Sequence, residues 1–361
     1  MAGATGIEFL SLLFTAGAAV GTILSGHNMW ALCAVLLPIS ALPCFFPRIL
    51  INAGRRTSEL VFGLSFLILG VVSAISRSMV PEAELSVVES TARDAAESLR
   101  ALIGRIPFGD GDAAALLTAL LTGDRSLLSR DTVLAFRDSG ASHILALSGL
   151  HIGIIYMVAD RLLSLLIGRA PWTRWPRFII ITGASAWFTL MTGAGPSITR
   201  AFLFIAISET LRLLCRPRKP MRVLCLALLI QLVIDPGAIS TIGFQLSYLA
   251  MAGIVLLYPV LEKWYPEGGS AFNPIRKIWQ MAAIAISCQL FTGPLAWIKF
   301  GTFPRHFLLT NLLAIPVVTA LMWVSVITIA LYGLGWCPGL LITITDGLSR
   351  LLVWILTVIS S

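Results

Sequence analysis

The sequence predicts an all-α, polytopic membrane protein, and three observations carry that expectation. More than half of its residues are apolar (57%) while only 12% are charged. The apolar residues gather in runs approaching the twenty that a helix needs to cross about 30 Å of hydrocarbon. Basic residues, finally, recur in every second connection between those runs.

Hydropathy places about eleven spans, at residues 8–25, 29–46, 60–76, 150–168, 178–193, 198–214, 222–234, 242–261, 278–298, 310–332 and 339–358. The first run, Phe9 to Leu24, follows Glu8 rather than a basic leader, so it reads as a span and not as a cleaved signal peptide. Arg48, Arg55 and Arg56 follow the second span, Arg169, Arg174 and Arg177 the fourth, Arg216, Arg218, Lys219 and Arg222 the sixth, and Lys263, Arg276 and Lys277 the eighth. The intervening connections are nearly uncharged apart from Lys299 and Arg305. The positive-inside rule therefore puts the N-terminus in the cytoplasm, and an odd number of spans puts the C-terminus outside. The same loops account for most of the net charge of +8. Cys33, Cys44, Cys215, Cys225, Cys288 and Cys337 lie within spans or near their ends and show no C-x-x-C spacing, which points to packing rather than to disulfides or metal.

This pattern divides the chain into a three-span region over 1–76, one outer loop over 77–149, a core over 142–332 and a final span over 339–358. Within the loop, Glu82 to Gly104 carries Leu85, Val88, Ala92, Ala95, Leu99 and Leu102 at alternating steps of three and four, the spacing of an amphipathic helix. Its other face bears Glu89, Arg93, Asp94, Glu97 and Arg100; without a cationic face the helix packs on protein rather than on lipid. Pro107 and the Gly-Asp-Gly-Asp at 109–112 end it. Ala113 to Thr122 is a wholly apolar run, with Asp112 placed to cap it and Gly123 beyond its end. It is too short to span, so it reads as a re-entrant or interfacial helix received by protein or by a water-filled vestibule. Ser129 caps the next helix and Gly140 stops it.

Chemistry concentrates where polar residues interrupt apolar runs. In Ser142–Tyr156 (SHILALSGLHIGIIY), Ser142 can cap a short helix, Ser148 and Gly149 can break it, and His143 and His151 lie near the break. Broken helices in membranes expose backbone groups that transporters turn toward charged cargo. The alternative is that Gly149 permits close packing while the histidines bond neighbouring carbonyls. A Ser148 nucleophile with a histidine base lacks an identifiable orienting acid and oxyanion hole. A second break, Thr192–Ala201 (TGAGPSITRA), comprises Gly193, Gly195 and Pro196 and restarts a helix with Arg200 one turn inside. A buried guanidinium must face protein, water or an anion, which makes Arg200 the leading path residue. Snorkelling or pairing with Glu209 is its structural alternative. Gln245 can line a polar path or hold helices together. Asp160, Arg161, Glu209, Gln231 and Gln289 are further intramembrane polar residues, and Asp346 and Arg350, four apart, can neutralise each other.

The SHILALSGLHIGIIY run resembles the signature of the ComEC family, inner-membrane channels that import single-stranded DNA into naturally competent bacteria. The resemblance extends to Leu120–Gly140 with its Gly123-Asp124-Arg125, to TGAGPSITRA, to Asp235–Gly253 (DPGAISTIGFQLSYLAMAG) and to Asn311–Val318 (NLLAIPVV), all in the family's order. It implies a multi-pass protein of the bacterial inner membrane whose path includes Arg125, His143, Ser148, Gly149, His151, Arg200 and Gln245. It further implies single-stranded DNA as cargo, a cytosolic helicase-like motor and a competence pilus or outer DNA receptor as partners; an oligomer is compatible with it. No cofactor is expected. The sequence has no G-x-x-x-x-G-K-[ST] loop for ATP and no His/Asp cluster for metal, so no nuclease or other catalytic activity is expected of this chain. The oligonucleotide-binding and metallo-β-lactamase-like modules that many ComEC proteins carry find no room in it. A scaffold, or a transporter of another small or anionic cargo built on the same core, is the rival expectation.

Overall fold

The structure is a computed structural model that describes residues 6–24, 36, 40, 55–79, 87–109, 111–145, 149–168, 170–265, 273–301, 306–336 and 339–360. Among these residues there are helices and turns but no strand. The chain divides into two compact units, one of residues 1–84 with 206–248 and one of residues 85–205 with 249–361.

In the first unit, helices α1 (Gly6–Leu24) and α2 (Arg55–Met79) pack along each other. Their contact is backbone against backbone. A Cβ on Gly17 would stand 1.9 Å from Leu67 O, and one on Gly70 would stand 2.2 Å from Phe14 O. Lipid offers no hydrophobic drive for two apolar helices to associate, so small residues that let the chains approach supply it through dispersion. The 3₁₀ turn Pro236–Ser240 closes against both, along with α10 (Pro220–Ile234).

The second unit is built on the hairpin of α14 (Phe307–Gly333) and α15 (Gly339–Ser360). Around it stand α3 (Val87–Arg105), α4 (Gly111–Thr122), α5 (Arg130–Asp138), the single turn α6 (Ser142–Leu145), α7 (Gly149–Leu166), α8 (Arg174–Met191) and α13 (Pro274–Phe300). Helix α9 (Pro196–Leu213) belongs to it through residue 205. The run at 242–261 forms α11 (Ile242–Leu256) and, after a break before Pro259, α12 (Tyr258–Glu262).

Among the described residues, seven helices are long and apolar enough to cross a membrane: α1, residues 59–76 of α2, α7, the α11–α12 run, α13, α14 and α15. Four of the eleven expected spans are not among them. The span at 29–46 lies outside the described residues. Those at 178–193 and 198–214 form α8 and α9, which carry Arg174 and Arg177, and Arg200, Glu209 and Arg212. The run at 222–234 forms the shorter α10.

The two helices expected in the loop are present. Helix α3 buries Ala92, Ala96 and Ile103 and leaves Glu89, Arg93, Asp94 and Glu97 exposed. Its described part starts at Val87, and Val88 is exposed rather than on the buried stripe. Helix α4 buries nine of its twelve residues, and Leu116, Leu117, Ala119, Leu120 and Leu121 share one core with Phe136 of α5, Leu321 and Met322 of α14, and Leu352 and Leu356 of α15. A helix apolar on every side requires such enclosure. Asp112 lies inside α4 rather than capping it. Ser129 Oγ accepts the Thr132 N–H (3.2 Å), and Gly123 and Gly140 take the left-handed φ of +80° and +82° that ends each helix.

In the second unit, a Cβ on Gly253 would lie 2.3 Å from Ser287 O, whereas one on Gly183 meets nothing within 4 Å. Alanine raises helix propensity by about 1 kcal/mol over glycine at either position. Gly183→Ala should therefore hold or raise thermal stability, while Gly253→Ala should lower it by about 1–3 kcal/mol through overpacking. Melting of the detergent-purified variants measures the contrast.

Candidate functional site

Three groups of sequence-singled residues meet in the second unit. The first joins the α8–α9 break to the start of α7. Helix α8 ends at Met191 and turns through Gly193 (φ +82°) and Ala194 (φ +48°). Ala194 in the left-handed region costs roughly 1–2 kcal/mol; its N–H donates to Thr189 O (2.8 Å) and its carbonyl accepts the Thr199 hydroxyl (2.9 Å). Pro196 then opens α9 at the position where a missing N–H costs nothing. One turn on, Arg200 is only 7% exposed. Its guanidinium lies against the first residue of α7: a Cβ on Gly149 would stand 3.5 Å from Arg200 Nη2 and 3.4 Å from Ala201 Cβ. Ile152, Phe188 and Ile198 pack together from α7, α8 and α9 and fix that approach. The positive end of the α7 dipole and a guanidinium thus converge on one place.

The second group surrounds His143. Its Nδ1 lies 3.1 Å from Gly140 O. Crowding by neighbouring atoms holds its pKa below the usual 6.5, against the opposing pull of Gly140 O and the Asn311 side chain. Asn311 Oδ1 is buried beside the ring. One residue earlier, the Thr310 hydroxyl donates to Ser139 O (2.7 Å) and pins the start of α14 to this turn.

The third group is the Gly-Asp-Arg turn. Asp124 accepts the Ser126 N–H (3.0 Å) and meets Arg100 Nε at 3.5 Å, and Arg100 also donates to Thr122 Oγ1 (3.3 Å). The Ser126 backbone and hydroxyl, ahead of Arg100, lower the Asp124 pKa below 3.8. Arg125 is exposed.

Other candidates do not join these groups. His151 is fully buried, and two steps along a helix put it about 200° around α7 from Gly149. Ser148 lies outside the described residues. Gln245 sits in the first unit, where its Nε2 donates to Ile239 O (2.8 Å) and closes the preceding turn. Glu209 pairs with Arg212 (3.3 Å), and Gln231 accepts the Tyr248 hydroxyl (2.9 Å). Asp346 Oδ2 accepts the Gly109 N–H (2.7 Å) instead of being committed to Arg350. Asn311 was not singled out, although it is the lone amide at the head of an otherwise apolar span. Nor was the pairing of buried Arg177 with Asp160, which joins α8 to α7 while Arg177 Nη1 also donates to Ser164 Oγ and Gly168 O, each at 3.1 Å.

A helical, multi-pass membrane protein is the class these features define. Residues 120–361 match the sequence model of the Competence protein family, and the chain belongs to that family. It is 26% identical over 209 residues to ComE operon protein 3 of Bacillus subtilis (58% of this chain, 25% of the relative). It is 28% identical over 212 residues to the uncharacterized protein YcaI of Escherichia coli (57% and 27%). Over 213 residues it is 25% identical to Recombination protein 2 of Haemophilus influenzae (57% and 27%). The matched region spans about a quarter of each relative's length. No solved structure matches.

Removing one partner from a buried ion pair costs about 3–5 kcal/mol, because the other charge is left uncompensated. Asp160→Asn should destabilise the protein on that scale, and the apolar pair Asp160→Leu with Arg177→Met should recover most of the loss. Unfolding of the single and double variants checks both expectations.

Proposed function

We propose that the chain is the membrane core of a channel that carries single-stranded DNA inward across the bacterial inner membrane without cutting it. Family membership supports a role in DNA uptake. The observation that carries the finer reading is the seat of Arg200 against Gly149, where the α8–α9 break brings a buried cation to the first residue of α7. Such a place suits a phosphodiester in transit. The basic connections at 169–177, 216–222 and 263–277 face the cytoplasm in this reading and receive phosphates as they emerge. Residues 142–332 form the conducting core, with His143 and Arg125 as further path residues. Import of polyanion into a negative interior costs about 2.3 kcal/mol per charge per 100 mV. A cytosolic helicase-like motor therefore supplies the pull.

Arg200→Gln keeps a polar side chain of similar length but removes the charge. In a strain lacking the native gene and complemented with the variant, uptake of labelled DNA per folded protein in the membrane should fall at least tenfold. Arg200→Lys should be partly active, since a point charge remains and the planar fork is lost. Unchanged normalised uptake in Arg200→Gln removes Arg200 from the path.

A further inference from the structure

Two sets of hydrogen bonds tie the segment before α7 to opposite ends of one membrane span. At one end, the Tyr332 hydroxyl donates to Arg105 O (2.8 Å), and Gly109 N–H donates to Asp346 Oδ2 (2.7 Å) on α15, the other helix of the α14–α15 hairpin. At the other, the Thr310 hydroxyl donates to Ser139 O (2.7 Å). Thr310 and Tyr332 lie in one continuous helix, α14. At 1.5 Å per residue they are about 33 Å apart, and a tilt of roughly 20° still leaves about 31 Å, the thickness of the hydrocarbon.

We propose that residues 111–138 cross the membrane. Hydropathy assigns them to one loop on one face, because α4 alone is too short to span. The crossing is composite: α4 is enclosed by α14 and α15, the Gly123–Ser129 turn follows, and α5 completes it against α15. Protein receives the helix ends that lipid cannot.

The exposed groups on this crossing set its chemistry. Arg125, Ser126, Arg130, Asp131, Arg137 and Asp138 are exposed, and the Arg100–Asp124 pair is itself partly open, at 37% and 29%. Exposed ionised groups within the thickness of the membrane face water rather than lipid. The turn at 123–126 therefore lies in an aqueous vestibule, continuous along α5 with the face that bears Arg130, Arg137 and Asp138. None of this depends on the cargo being DNA.

Impermeant thiol labelling, read peptide by peptide so that native cysteines do not interfere, tests the crossing in sealed vesicles of both orientations. Gly104→Cys and Pro107→Cys should react from one face, and Asp138→Cys and Ser142→Cys from the other. Two positions at each end guard against one variant failing to insert. Reaction of both ends from the same face overturns the crossing. Ser126→Cys should react from the face that labels Asp138→Cys; no reaction, or reaction from the opposite face alone, overturns the vestibule.

Discussion

Hydrocarbon offers no partner to a polar group, and the second unit is organised by that constraint. At several of its helix ends and buried charges, another part of the protein receives the polar group. The α8–α9 break closes on its own carbonyls through Ala194 and Thr199. Arg200 is received at the head of α7, Arg177 by Asp160 and its turn, and Asp346 by the Gly109 amide. The last three arrangements join different elements of the unit, so satisfying polarity and assembling the fold are one process.

Close approach is the means. Glycine at 149 leaves room for a guanidinium, and glycine at 253 lets α11 meet the α13 backbone. In water, burial of side chains would dominate such contacts; between helices in lipid, the gain comes from packing and from the few polar pairs that packing permits. The same geometry that holds the helices together therefore places a cation beside a helix N-terminus. Architecture and candidate function rest on the same residues.

Much of this was legible in the sequence for local reasons. The extent of α4 followed from an unbroken apolar run ending at Gly123, and the ends of α5 from Ser129 and Gly140. The break before α9 followed from Gly193, Gly195 and Pro196. What stayed hidden was tertiary. Charges lowered the apolar character of α8 and α9 below that of the other long helices, and nothing in the chain revealed that Asp160, seventeen residues earlier, would neutralise Arg177. Local spacing favoured Arg350 as the partner of Asp346, yet the carboxylate reaches Gly109. His143 and His151 look like neighbours on paper. Helix geometry turns His151 away from Gly149, while His143 joins Asn311 from the other end of the chain. Gln245, polar in an apolar run, serves the turn beside it.

The central claim is that the breaks at Gly149 and at Pro196–Arg200 form one place on the transport path. A disulfide between Gly149→Cys and Ala201→Cys tests it most directly, because the 3.4 Å between the two Cβ positions is close to the 3.5–4.5 Å span of natural disulfides. Oxidation of the double variant should give an intramolecular crosslink and stop DNA uptake, and reduction should restore it. Two reactive thiols that fail to crosslink, or a formed crosslink with undiminished uptake, would contradict the account.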